Sequence, residues 1–270
     1  MDFSGHLHLV AALRAGGRTV LSRQSFRAPF HVGKPYWDGR VLQVRIVNPT
    51  AGIFAGDRLE LAVRVENGAS LLAMTPAATR AFTMHSGAAE CRQSFVVEAG
   101  GWLEYAPEPL CPHAGCDYRQ STRIEVAENG ETYWVDTLAP GRVGHDESCA
   151  WRRLRLALDV VYAGEPVLRE RLDCAGTEMA GAAAFHGTPG AWLATILVLS
   201  SRLEADDGIW RLVRALHGGG RWVGVTRLRR GGWIIRAIAP GGQELRDLLA
   251  ELRGILATVL PGLRSDLRKV

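Results

Sequence analysis

No run in this chain approaches the roughly 18 to 20 consecutive apolar residues that a membrane-spanning helix needs. The opening MDFSGHLHLVAALRAGG also lacks the long apolar core of a secretory leader. Cysteine is sparse and odd in number: Cys91, Cys111, Cys116, Cys149 and Cys174 cannot all pair, which predicts reduced thiols and a cytoplasmic location. Signatures of common catalysts are missing too, with no G-x-S-x-G, no H-E-x-x-H and no kinase or synthetase motif. Nor does any Ser- or Pro-rich linker divide the chain. One domain over 1–270 is therefore expected, with a β body to about 200 and an α+β part over about 201–270.

What is present is ordinary globular material, 270 residues with 47% hydrophobic and 22% charged side chains. The net charge is +4, unevenly placed. From Arg202 onward 13 Arg or Lys face 7 Asp or Glu, which is +6 and leaves −2 for the rest. A basic C-terminal region fits a nucleic acid or an acidic protein partner. Without interleaved aromatics or a helix-turn-helix pattern, no nucleic acid is expected, and the apolar runs predict no membrane.

Strand patterns dominate. Leu59, Leu61, Val63 and Val65 alternate with Glu60 and Arg64, and Leu154, Leu156, Leu158 and Val160 alternate with Arg155 and Asp159. Four turns resemble one another, "VENGASLLA", "VEAGGWLEY", "VAENGETYWV" and "VVYAGEPVL". With Gly68, Gly100, Gly130 and Gly164 as markers the steps are 32, 30 and 34 residues, in the period range of stacked repeats, although hairpins of a β-sandwich also give such turns. Helical spacing comes late. "DDGIWRLVRALHGGG" opens on an Asp cap and stops at Gly218, and "GGQELRDLLAELRGILATVLPG" carries a stripe of Leu245, Leu248, Leu249, Leu252, Leu256 and Val259. Between them "RWVGVTRLRR" and "GWIIRAIA" read as a hairpin turning at Gly231 and Gly232. The fold class predicted is mainly β, with layered, β-helix-like strands and a few C-terminal helices.

Four segments carry candidate chemistry. In "VNPTAGIFAGDRL", Pro49, Gly52 and Gly56 shape a loop. Asp57 after Gly56 would repel a phosphate, so a phosphate loop is excluded and the carboxylate is left to cap backbone amides or face an interior. In "MTPAATRAF", Pro76 ends a strand, and Thr75, Thr79 and Arg80 either bond their own backbone or line a passage. "CPHAGC" places Cys111, His113 and Cys116 within six residues as two thiols and an imidazole for a soft metal, but nothing completes a four-ligand zinc set. In "GRVGHDE", Arg142 and Glu147 form a brace, or with His145 a base and an anion clamp that lacks a nucleophile.

In order and spacing, "RAPF", "VNPTAGIFAGDRL", "GASLLAMTPAATRAF", "WLEYAPEPL", "GRVGHDE" and "GVTRLRRGGWIIRAIAP" resemble the urease accessory protein UreD (UreH) family over nearly the whole chain. The most specific pieces are Gly56-Asp57-Arg58-Leu59 with the following "TPAAT", and the E-x-x-P-x-P element from Glu104 to Pro109. Departures from the family pattern are Ala51 for a glycine, Met74 for a threonine, Arg80-Ala81-Phe82 for Lys-Val-Tyr, and Asp146 for a glycine. The family's loop is apolar where this chain has "CPHAGC", so no family role passes to Cys111, His113 or Cys116. The resemblance implies a mainly β scaffold that is not itself an enzyme. It would bind apo-urease on one side and UreF on the other, with the GTPase UreG docked on UreF. It also implies no tightly bound cofactor and a transient nickel ion moving through a water-filled passage. Such an ion needs exchangeable oxygen ligands, for which Asp57, Thr75, Thr79, Arg80, Glu104, Arg142 and Glu147 are the candidate passage or structural polar residues. The other reading is a β-repeat binding module that takes an acidic partner on its basic C-terminal region.

Overall fold

A computed structural model describes residues 4–185, 187, 190–203 and 207–267. The chain climbs through rungs. Each rung is a long strand, a tight turn and a second strand that crosses to the opposite sheet. The first sheet takes β1 (Ser4–Arg14), β6 (Arg58–Val65), β9 (Ala89–Val97), β12 (Asp117–Val126) and β14 (Arg153–Tyr162), each parallel to the next. The opposite sheet takes β5 (Val41–Val47), β7 (Ser70–Met74), β10 (Trp102–Ala106) and β13 (Glu131–Leu138), also parallel. Short β8 (Thr79–Ala81) and β11 (Leu110–Pro112) form a third parallel pair on which β13 also bears. This is the stacked, β-solenoid-like arrangement that the turn period predicts.

The register corrects the repeat in two places. Trp102 lies opposite both Ser70 and Glu131, so Gly68, Gly100 and Asn129 are equivalent, with left-handed φ of 68°, 66° and 62°. Asn tolerates that region almost as glycine does. Gly130 sits one place later, where an added Cβ would meet the Val126 side chain and the Glu98 carbonyl. The fourth turn is no rung at all, because β14 folds back on β15 (Glu165–Cys174) as an antiparallel hairpin. At the other end β1 folds back on β2 (Arg18–Arg27). Hairpins thus close both ends of a seven-stranded sheet in the order β15-β14-β12-β9-β6-β1-β2.

The opposite sheet is widened to eleven strands among the described residues. β3 (His31–Val32) and β4 (Tyr36–Asp38) pair with β5, while β16 (Trp192–Leu199), β18 (Gly232–Ala239) and β17 (Trp222–Arg227) continue it antiparallel beyond β13. Between the sheets, Leu7, Leu61, Phe95 and Ile124 meet Leu71, Leu103, Trp134 and Leu197 in the main core. The outer face of this second sheet is apolar as well. Tyr133, Val135, Ile196 and Trp233 are covered there by α2 (Asp207–Ala215) and α3 (Gly242–Leu256) through Ile209, Val213, Leu245, Leu248, Leu252 and Leu256. With both faces buried, β10 and β18 are apolar at nearly every position, broken by Glu104 and Arg236.

The expected hairpin turns at Gly231 and Gly232, and both expected helices are present; Asp206 and the side chain of Asp207, where the cap was placed, lie outside the described residues. The sequence reading missed α1 (Gly176–Phe185), whose small residues give no amphipathic stripe. Among the described residues no helix is long and apolar enough to cross a membrane.

Candidate functional site

The interior is not apolar throughout. On the inward phase of β12 and β13, where alternation calls for apolar side chains, stand Gln120 and Asp136. Tyr118 donates its hydroxyl to Gln120 Oε1 at 3.1 Å, and Gln120 Nε2 donates to Asp136 Oδ2 at 2.9 Å. Burial pushes the Asp136 carboxyl up to about 6, opposed by the Gln120 bond and the Thr137 amide. The same burial pushes the Cys91 thiol, close to Tyr118, up to about 11, which keeps it protonated.

Two pockets converge on this network. The first, about 140 Å³, opens among the loops after β5, β7 and β10 and is lined by residues of 46–53, 75–80 and 105–110. The second, about 510 Å³, lies between the sheets where β14 and β15 face β16 and β18. Gln120, Asp136 and Leu110 line both. Asp136 is thus deep in the fold and yet touched by cavity space from two sides, which explains how a carboxyl so far inside stays partly accessible. In the second pocket Trp134 Nε1 and Thr137 Oγ1 have no protein partner among the described residues. At its rim Arg236 of β18 pairs with Glu170 of β15, joining the two sheets.

Of the residues singled out from sequence, Thr75, Thr79 and Arg80 line the first pocket. Thr75 Oγ1 also accepts the Glu108 N–H at 2.7 Å, so its hydroxyl fixes the rim. The others line neither pocket. Asp57 is buried and accepts the Phe54 N–H at 2.8 Å, closing the turn that the Gly56-Asp57 pair makes; burial raises its pKa against that bond. Glu104 lies on the outer face of β10 and receives Arg253 of α3 at 2.7 and 3.0 Å, a buried clamp from helix to sheet. Arg142 grips Glu147 with two donors, and Glu147 also accepts the Ala114 N–H at 3.2 Å, tying the 107–116 loop to the 140–150 loop. The Arg142 hydrogen bonds hold Glu147 down to about 2. His145 is exposed beside them, and neither pocket gathers Arg142, His145 and Glu147.

The three side chains of "CPHAGC" are not gathered into one set. Among the described residues no three His, Cys, Asp or Glu side chains are grouped to hold a metal ion. Cys116 is fully buried among Leu154, Tyr118 and Trp151, and burial with the nearby Asp117 charge pushes its thiol up to about 12. Cys111 donates to the Gly141 carbonyl at 3.4 Å, and the His113 ring packs edge-on against Phe82, 4.6 Å between centroids. These side chains pack a loop.

Asp136 and Gln120 went unnoticed in the sequence, although the signal was there: a carboxylate between Trp134 and Leu138, and an amide between Tyr118 and Thr122, on the phase that the strand turns inward.

The fold and its interior define a class, β-solenoid-like proteins whose rungs enclose a polar junction between two pockets. Within that class the chain belongs to the UreD urease accessory protein family, whose profile matches residues 4–270. It is 50% identical to the urease accessory protein UreD of Opitutus terrae across the full length of both. It is 36% identical to the UreD of Deinococcus radiodurans over 92% of this chain and 84% of the relative. With the UreD 2 of Streptomyces griseus the identity is 31%, over 98% of this chain and 93% of the relative.

Proposed function

We propose that the protein is a non-catalytic scaffold of urease maturation, working in the cytoplasm, that joins apo-urease to UreF and the UreF-bound UreG and lets nickel pass through its interior. The observation that carries the reading is the meeting of two pockets at Asp136. Nickel is cargo in this reading, so its ligands have to let go. A carboxyl with a pKa near 6, an amide and cavity water suit that demand better than a closed thiolate cage, because each is exchangeable. At neutral pH Asp136 is mostly ionised and attracts a cation, while in mild acid it is neutral and does not. Thr75 and Thr79 supply oxygens toward the loop-side mouth, and Arg80 sets a positive charge there that favours passage over retention.

The test is urease activation in cells that carry nickel, apo-urease, UreF and UreG with this chain or its variants. Asp136→Leu should remove most of the activation while the variant still co-purifies with apo-urease and with UreF. Activation equal to that of the unaltered chain would refute the passage, and lost co-purification would mean that folding or docking had been changed instead.

A further inference from the structure

Sheet edges offer unpaired N–H and C=O groups to any extended chain, and proteins usually blunt them. Among the described residues the two main strand paths have four ends, and three are blunted. β2 carries the exposed Arg18, Arg23 and Arg27 and a bulge in its pairing at Val10/Ala11. β15 carries Pro166, Arg169, Arg171 and Asp173 and a bulge opposite Val160/Val161. β3 is two residues long. β17 differs. Trp222, Val223, Gly224, Val225 and Thr226 bring no charge and no proline, the strand's one charge is Arg227 at its end, and the six pairs with β18 run without a register shift.

The direction of its backbone groups follows from one bond. The Val223 N–H donates to His217 Nδ1 at 3.2 Å, on the side away from β18. In an antiparallel pair alternate residues turn N–H and C=O the same way, so Val225 faces that outer side too. The His217 ring closes the Val223 end, and the stretch centred on Val225 has no strand beside it among the described residues. Two exposed apolar side chains and several cations belong to β17 and to α2, which packs on it. Trp222 is 44% exposed and Leu212 of α2 is 52% exposed, both large for solvent-facing side chains. Arg211 and Arg214 are exposed on the same helix, and Arg227 lies over the Trp210 ring, 5.4 Å from its centroid. Asp207 opens α2, and from Gly208 to Arg230 no carboxylate follows.

We infer that the outer edge of β17 is a docking strand that takes an extended, acidic segment of a partner protein by β-pairing at Val225. Backbone pairing supplies the affinity, Trp222 and Leu212 receive the apolar side chains, and Arg211 and Arg214 select acidic ones. Trp222 pairs with Ile238, a residue that lines the second pocket, so one strand separates the docked segment from that pocket's wall.

The probe is a fluorescein-labelled peptide of four Glu-Val repeats, titrated against the full chain and read by anisotropy, with a peptide of four Lys-Val repeats as control. The acidic peptide should bind at least about tenfold more tightly than the basic one, a difference of roughly 1.4 kcal/mol. Val225→Pro, which removes the outward N–H but no bond to β18, should weaken it about tenfold or more, while Val225→Ala should stay within about twofold. Should Val225→Pro fail to fold, hydrogen exchange decides on the unaltered chain: saturating peptide should slow the β17 amides and leave those of β2 unchanged. Equal binding of both peptides, no binding of either, or no protection of β17 would overturn the inference. These readouts do not involve urease, so their failure leaves the Asp136 reading standing, and the failure of that reading leaves them intact.

Discussion

In its proposed role Asp136 sets function against stability. In the unfolded chain its carboxyl releases a proton near pH 3.8, whereas in the fold it holds the proton to about 6. Between those values the folded state binds the proton more tightly, so stability falls as pH rises through the window and the cost is complete above it. With allowance for cavity water, that cost is on the order of 2 kcal/mol. Asp136→Asn should therefore raise the melting temperature at pH 7.5 while lowering urease activation, and the gain should vanish in melts below about pH 4. Glu147 has the opposite sign: its stabilisation is present above its ordinary value of 4.5 and is lost as pH falls toward about 2. Glu147→Gln should accordingly lower the melting temperature at pH 7 and make no difference near pH 2. In the Glu104–Arg253 clamp Glu104 is fully buried and Arg253 partly so, and Arg253→Met therefore strands a buried carboxylate and should cost about 3 to 5 kcal/mol in denaturant melts. Adding Glu104→Gln should restore much of that loss, since the stranded charge is then gone.

At the level of elements, α3 is a cover. Its buried stripe of Leu245, Leu248, Leu252 and Leu256 faces an outer sheet surface that includes Tyr133, Val135 and Trp233. A chain cut before Gly241 should be recovered mainly in the insoluble fraction, and a soluble truncated protein with an unchanged circular-dichroism melt would contradict this role. That stripe was legible in sequence, as were the strands at 58–65 and 153–162, because periods of 3.6 and 2 are local properties. The fate of each turn was not. "VVYAGEPVL" resembles the other turns, yet it reverses within one sheet, since what lies beyond is a strand edge and not another rung. Nor could spacing reveal that Asn129 does the work of Gly68 and Gly100, because any residue that accepts a left-handed φ serves there. Glu104 and Arg142 stood out because motifs surround them, but a motif does not say whether a charge faces a helix, a loop or a cavity.

For the whole molecule, parallel rungs put residues far apart in the chain at one height, which is how segments near 50, 78, 108 and 120 come to share a pocket. A local reading cannot assemble such a site, since each segment contributes only one or two polar atoms. The order of synthesis has its own consequence. The ribosome releases the β13 face, with Tyr133 and Val135, about a hundred residues before the leucines that shield it, a delay of roughly 5 to 20 seconds at usual elongation rates. Throughout that interval a wide greasy plane is bare on the nascent chain. Slower translation of the final third, or expression faster than chaperones can attend, should therefore yield aggregates even though the finished protein keeps that plane covered.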